Sequence, residues 1–113
     1  MKRILLLAIA LNLTGCMNIY NYRGEQPITA TFLSSHTPQE TQECILSSWQ
    51  KEPLGNSVTA QKTYGFYSVL AVSDNVDVYY EKNSVIVNYY SLRGSLDPWN
   101  GKVKRIKAIQ SCL

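Results

Sequence analysis

The chain carries few residues whose type and spacing could do chemistry. His36 is its only histidine, set beside Ser34 and Ser35. A Ser–His–acid or Cys–His centre needs a positioned base and an acid to orient it, and nothing in the spacing around His36 supplies either. One histidine and three cysteines make a poor tetrahedral metal set. The acids Glu40, Glu43, Glu52, Asp74, Asp77, Glu81 and Asp97 are scattered, without a calcium-loop pattern. Asp77 and Glu81 fall on one strand face, where paired acids could serve glycoside chemistry, though the same alternation makes an ordinary polar outer face. There is no glycine-rich phosphate loop. These observations predict a non-enzymatic chain with no cofactor and no metal.

The cysteines say more. Three is an odd number for an exported chain and calls for an explanation. Met1-Lys2-Arg3 is a short basic start, followed by the apolar run from position 4 to 11. That run is too short for a bilayer core of ~30 Å, which takes roughly 20 apolar residues, and it suits the apolar region of an export signal. Next comes Leu13-Thr14-Gly15-Cys16, which resembles the lipobox of bacterial lipoproteins. The resemblance covers only the first sixteen residues. It implies that residues 1–15 are a cleaved signal peptide, and that Cys16 becomes the lipidated first residue of the mature protein. Each buried methylene contributes ~0.8 kcal/mol, so two or three acyl chains, palmitate among them, would hold the protein on a membrane. Met17 rather than aspartate follows the lipid cysteine. In a Gram-negative host the resemblance therefore implies an outer-membrane protein, facing either side.

With Cys16 so used, Cys44 and Cys112 are left as the one intramolecular pair. An oxidising compartment favours a disulfide between them. Two buried free thiols are the alternative, and no Cys-x-x-Cys spacing points to redox work. Removing Lys2 and Arg3 also lowers the formal charge of +3 by two. A chain so near neutrality has no strong electrostatic reason to bind nucleic acid. Lys102, Lys104, Arg105 and Lys107 read as a solvated helix face, with an anionic membrane surface as the alternative partner, at ~1 kcal/mol per charge.

These residues need a scaffold, and 113 residues are enough for one domain. Residues 16–27 read as a lipidated tether, broken by Asn18, Asn21, Gly24 and Pro27, and residues 28–113 as a single α+β domain. Residues 28–33 alternate weakly, as a short edge strand does. Thr37-Pro38-Gln39-Glu40 is a helix start, with Thr37 as N-cap, Pro38 at N1 and Glu40 at N3. The helix runs through Cys44, Ile45, Leu46 and Trp49 until Pro53-Leu54-Gly55 stops it. Strand character over 57–62, 66–72, 76–81 and 84–91, with only short turns between, predicts a four-stranded antiparallel meander. In the last hairpin Tyr80 faces Val85, Val78 faces Val87, and Val76 faces Tyr89. For 66–72 a three-residue turn, sending Phe66, Leu70 and Val72 inward, buries more apolar surface than a two-residue turn, which would send Val69 and Ala71 inward. Residues 101–113 repeat Val103, Ile106, Ile109 and Leu113 at helical spacing. The expected fold is the meander with an N-terminal and a C-terminal helix on one face, linked by the disulfide.

Tyrosines are the most suggestive feature. Adjacent strand residues point to opposite faces, so Tyr79, Ile86 and Tyr90 are expected on the outer face and Tyr80 and Tyr89 in the core. An exposed aromatic patch marks a binding surface, although tyrosine also favours strands for packing reasons. The expected function is a membrane-anchored, non-catalytic binding module contacting an envelope protein or polymer, as inhibitors, immunity factors and assembly accessories do. A structural envelope lipoprotein without a ligand is the second reading.

Overall fold

The computed structural model describes residues 21–113. The expected signal peptide, the lipidation site Cys16 and the first part of the tether lie outside the described residues. Among those described, no helix is long and apolar enough to cross a membrane.

Five strands form one antiparallel sheet: β1 (Ala30–Ser34), β2 (Thr59–Thr63), β3 (Phe66–Leu70), β4 (Asp74–Glu81) and β5 (Ser84–Ser91). Their spatial order is β1-β5-β4-β3-β2, so the last four make the expected meander and β1 adds a fifth strand beside β5. The count of four was short because β1 has only partial alternation. Its pairing partner supplies what its own pattern lacks: Phe32 lies opposite Val87 and Ala30 opposite Tyr89, which closes an otherwise open edge over the core.

Among the described residues three helices join the sheet: α1 (Tyr22–Glu25), α2 (Pro38–Lys51) and α3 (Gly101–Gln110). The start of α2 is as its sequence dictates. The Thr37 hydroxyl accepts from the Glu40 backbone N–H at 3.1 Å, and Pro38 occupies the first turn, where no N–H is needed. Its buried stripe of Thr41, Gln42, Ile45 and Trp49 meets the valines of the central strands, and Ile109 and Cys112 join the same core. Gln42 Nε2 donates to the carbonyls of Gln61 and Ser68, at 3.1 and 2.9 Å, which fixes the helix over β2 and β3.

The β4–β5 register is the expected one, with Val76 opposite Tyr89, Val78 opposite Val87 and Tyr80 opposite Val85. Two details differ. Tyr80 is 61% exposed while Val76 and Val78 are fully buried: it has core-face parity but stands past the covered part of the strand. In β3, Val69 and Ala71 face the core and Val72 is exposed, the reverse of the preferred alternative. Ala71 and Asp74 exchange both backbone hydrogen bonds, at 2.9 and 3.2 Å, around a two-residue turn. This register sets Ser68 opposite Asp77, with the hydroxyl donating to the carboxylate at 2.7 Å. A one-residue slip would turn Ser68 into the apolar layer and take that donor from a buried acid, which outweighs the larger apolar burial of Leu70 and Val72.

Residues 21–27 are also more structured than a tether. Tyr22 is buried on the sheet.

Cys44 and Cys112 form a disulfide, 68 residues apart in sequence with Cα atoms 5.7 Å apart. It joins the middle of α2 to the end of α3. On the chain-entropy model a loop of that length contributes about 4 kcal/mol. Replacing both cysteines by serine should lower unfolding stability by roughly 2–5 kcal/mol in urea titrations, and thiol assay of the denatured, unreduced protein should find neither sulfur free.

Candidate functional site

β4 carries two buried carboxylates of opposite parity, and each organises a different surface. Asp74 faces the helices and is wholly buried, and Asp77 faces the other way at 1% exposure. An ionised carboxylate so placed needs paired charge and hydrogen bonds.

Asp74 collects them from the C-terminal third of the chain. Its Oδ1 accepts from Tyr89 Oη at 2.6 Å and Ser91 Oγ at 3.1 Å. Its Oδ2 accepts from Arg93 Nε at 3.0 Å and Arg105 Nε at 3.2 Å. Arg105 also donates to the carbonyls of Glu52 and Pro53, at 3.1 and 2.9 Å, and lies over the Trp49 ring, 4.7 Å from its centroid. A guanidinium at the carbonyl end of α2 complements the helix dipole. Burial, then the hydrogen bond to Asp74, raises the Tyr89 phenol well above its ordinary range.

The same network pins the segment between β5 and α3. Arg93 reaches Asp97 at 3.4 Å, and the Asp97 carboxylate accepts from the backbone N–H groups of Gly101 at 2.8 Å and Lys102 at 2.9 Å. Asp97 therefore caps α3 in place of its formal N-cap, Asn100, which sits in the left-handed region with φ 51° and makes no side-chain cap. Those two N–H bonds and Arg93 lower the Asp97 carboxyl below its usual range. A Cβ on Gly101 would overlap the Arg93 guanidinium, so any larger residue there would displace that side chain. Held at both ends, the segment presents Leu92, Leu96, Trp99 and Val103 to solvent at 56, 92, 54 and 51% exposure. The tip of the Trp99 ring rests on Gly55, 3.4 Å from where a Cβ would stand.

Asp77 collects its partners from the opposite end of the chain. Tyr22 Oη donates to Oδ1 at 2.5 Å, and Arg23 donates through Nε to Oδ2 at 2.6 Å and through Nη2 to Oδ1 at 3.0 Å. The Arg23 guanidinium lies 3.9 Å from the Phe66 ring centroid, and Tyr22 packs edge-on against Tyr90 at 5.1 Å. α1 is thus a strap clamped to the outer face. Burial and the Asp77 carboxylate raise Tyr22 far above the usual phenol range, and burial raises Tyr90.

The strap redraws the expected tyrosine face. Tyr79 and Ile86 are half-buried neighbours on the outer face, as their register requires. Tyr90 is 3% exposed beneath Tyr22 and is not available to a partner; the apolar ring was claimed by the strap. Tyr79 Oη accepts from Asn88 Nδ2 at 3.1 Å, and its ring meets Phe66 edge-on at 5.0 Å.

The remaining singled-out residues are dispersed. His36 is exposed, with Nδ1 3.8 Å from Glu40 one helical turn on. Asp77 is enclosed by the strap, whereas Glu81 is exposed. Of the basic cluster, Arg105 leaves the surface for Asp74, and Lys104 pairs with Glu52 at 3.0 Å. Among the described residues no three of His, Cys, Asp and Glu gather closely enough to hold a metal ion.

Two outcomes follow from the buried acids. Asp74→Ala leaves the buried Arg105 guanidinium without its carboxylate and Arg93 with Asp97 alone, and should destabilise the fold by roughly 3–5 kcal/mol in urea titrations. A phenol whose folded pKa lies above its unfolded value, ordinarily about 10, favours the folded state fully below that value and progressively less as pH rises toward the folded pKa. Absorbance titration should therefore show Tyr22, Tyr89 and Tyr90 resisting ionisation past the ordinary phenol pKa, with stability falling over the same alkaline range. Compared with protein-family models, with curated proteins and with solved structures, the chain matches none.

Proposed function

We propose that this chain is a lipid-anchored envelope protein that acts as a non-catalytic interaction module, attached through Cys16 and contacting a protein partner through the segment from Leu92 to Val103. The export signal and the Leu13-Thr14-Gly15-Cys16 motif support the anchor, and Met17 supports the outer membrane in a Gram-negative host. The observation that carries the interaction reading is the ordered apolar display. Leu96 is 92% exposed and Trp99 54%, on a segment fixed by the Asp74 and Asp97 ion pairs. Folding gains little from apolar groups held in water, and a rigid aromatic anchor loses little entropy when a partner covers it. Tyr79 and Ile86 remain a smaller apolar surface on the opposite face.

The test has two arms. Labelling with an alkyne analogue of palmitate should mark the wild-type protein and not Cys16→Ala. A photo-crosslinker at position 96 should give an adduct of defined mass in intact cells, and Trp99→Ala should weaken binding of the partner so identified about tenfold, which corresponds to ~1.4 kcal/mol. A crosslinker at the exposed position 47 of α2 serves as control. An adduct no stronger at 96 than at 47 would rule out the interaction surface.

A further inference from the structure

The expected tether of residues 16–27 would let the domain tumble freely above a membrane. The strap removes most of that freedom. With Tyr22 and Arg23 clamped to Asp77, only five residue steps separate Cys16 from Asn21. Fully extended, at 3.3–3.6 Å per residue, they reach no more than about 18 Å.

That reach is short compared with the domain. Behind the strap lie the sheet and then the helix layer, which alone adds about 10–12 Å. Bringing the outer surface of α2 to the membrane would require the chain to pass around the sheet and helices, roughly 20 Å or more. The strap side has no such obstacle.

That side also carries an apolar row which the strap covers only at Phe66, beneath the Arg23 guanidinium. Leu33 lies opposite Ile86, Ile86 lies opposite Tyr79, and Tyr79 meets Phe66, so the four side chains form one line across β1, β5, β4 and β3. Leu33 is 65% exposed, and Tyr64, fully exposed, stands in the β2–β3 turn at the same end of the sheet. Tyrosine at the headgroup level with leucine and isoleucine below it suits a membrane interface. Arg23 keeps a third of its side chain exposed beside the row, and Lys82 is exposed at the neighbouring hairpin tip.

We infer that the strap-bearing face of the sheet is the membrane-docking face, with Leu33, Ile86 and Tyr79 contacting the lipid surface and the two long helices turned away from it. This rests on the lipid-anchor reading. The strap is then the orienting device: it converts an attachment point into a fixed pose, in which α2 and α3 look into the aqueous compartment.

The experiment uses the mature acylated protein in vesicles of phosphatidylethanolamine and phosphatidylglycerol, with plain or brominated acyl chains. Leu33→Trp and, as an independent reporter, Tyr64→Trp are compared with Ser47→Trp on the exposed side of α2. Each is made together with Trp99→Phe, so that buried Trp49 is a constant background. Bromolipid should lower emission from positions 33 and 64 at least twofold and leave position 47 unchanged. Emission at 33 and 64 that is insensitive to bromine, or quenching as strong at 47, overturns the docking face and leaves the row to another occupant, such as a second copy of the chain. Intact mass of the same sample separates the two readings. With the acyl chains present, an unquenched row refutes docking alone; without them, the anchor reading fails and docking fails with it.

Discussion

A carboxylate buried in a sheet must find its counter-charge elsewhere in the chain, and β4 imposes that requirement twice. Asp74 and Asp77 are three residues apart, so strand alternation sends them to opposite faces. Neither has a cation available within its own strand. Asp74 draws Arg93 and Arg105 from the segment after β5 and from α3, while Asp77 draws Arg23 from before β1. Both ends of the described chain are thereby tied to its central strand. Removing either acid would free a whole segment rather than one contact, because each arginine brings its neighbours with it: Tyr22 with Arg23, and Asp97 with Arg93.

Arg105 shows how the two helices share this arrangement. It sits on α3, yet its remaining donors go to the carbonyls of Glu52 and Pro53, just past the end of α2, and its plane lies on Trp49. One side chain thus neutralises Asp74, caps α2 and packs on its largest core residue. At the other end of the helix pair, the disulfide does the equivalent work covalently. Half of the buried core is valine, a small side chain that buries limited area. A domain of this size with such a core depends on staples, ionic and covalent, more than a larger one would.

What the sequence made legible follows the range of each interaction. The cap of α2, the β4–β5 register and the helix at 101–110 are written in neighbouring residues, and they were readable. The disulfide was readable because counting cysteines needs no geometry. Tyr22 and Arg23 were not, since their partner Asp77 is 55 and 54 positions away and a short turn among Asn, Gly and Pro carries no helical period. Tyr90 was placed on the correct face but given the wrong exposure for the same reason. The β3 register failed because apolar area was weighed without Ser68, whose hydroxyl is worth more opposite a buried acid than Leu70 and Val72 are inside the core. Arg105 read as part of a basic surface: its neighbours on α3 are solvated lysines, and only the tertiary fold reveals Asp74 beneath it. The one local hint was the paired placement of acids in a strand otherwise rich in valine and tyrosine, an expensive place to put charge.

An antiparallel sheet that buries one face on helices ordinarily leaves the other to water, with polar side chains on it. This sheet departs from that pattern in a graded way. Near Asp77 the outer face is polar and is sealed by the strap. Toward the β4–β5 hairpin it turns apolar, through Phe66, Tyr79, Ile86 and Leu33, and nothing in the described chain covers it fully. Leu33 contributes little to stability at its exposure, because the area it removes from water on folding is small. A threonine there would serve the edge strand as well. The same holds for Leu96 at the far end of the molecule. Folding alone accounts for neither residue, and the two occupy surfaces of different construction. One is flat, cross-strand and adjacent to the strap, and the other is a convex loop gripped by ion pairs. Under the proposed lipid anchor, a flat apolar row beside the strap suits a broad, featureless lipid surface, whereas an indole and a leucine on a braced loop suit a pocketed one. The two surfaces proposed for lipid and for a protein partner thus differ in shape and lie on different sides of one small domain.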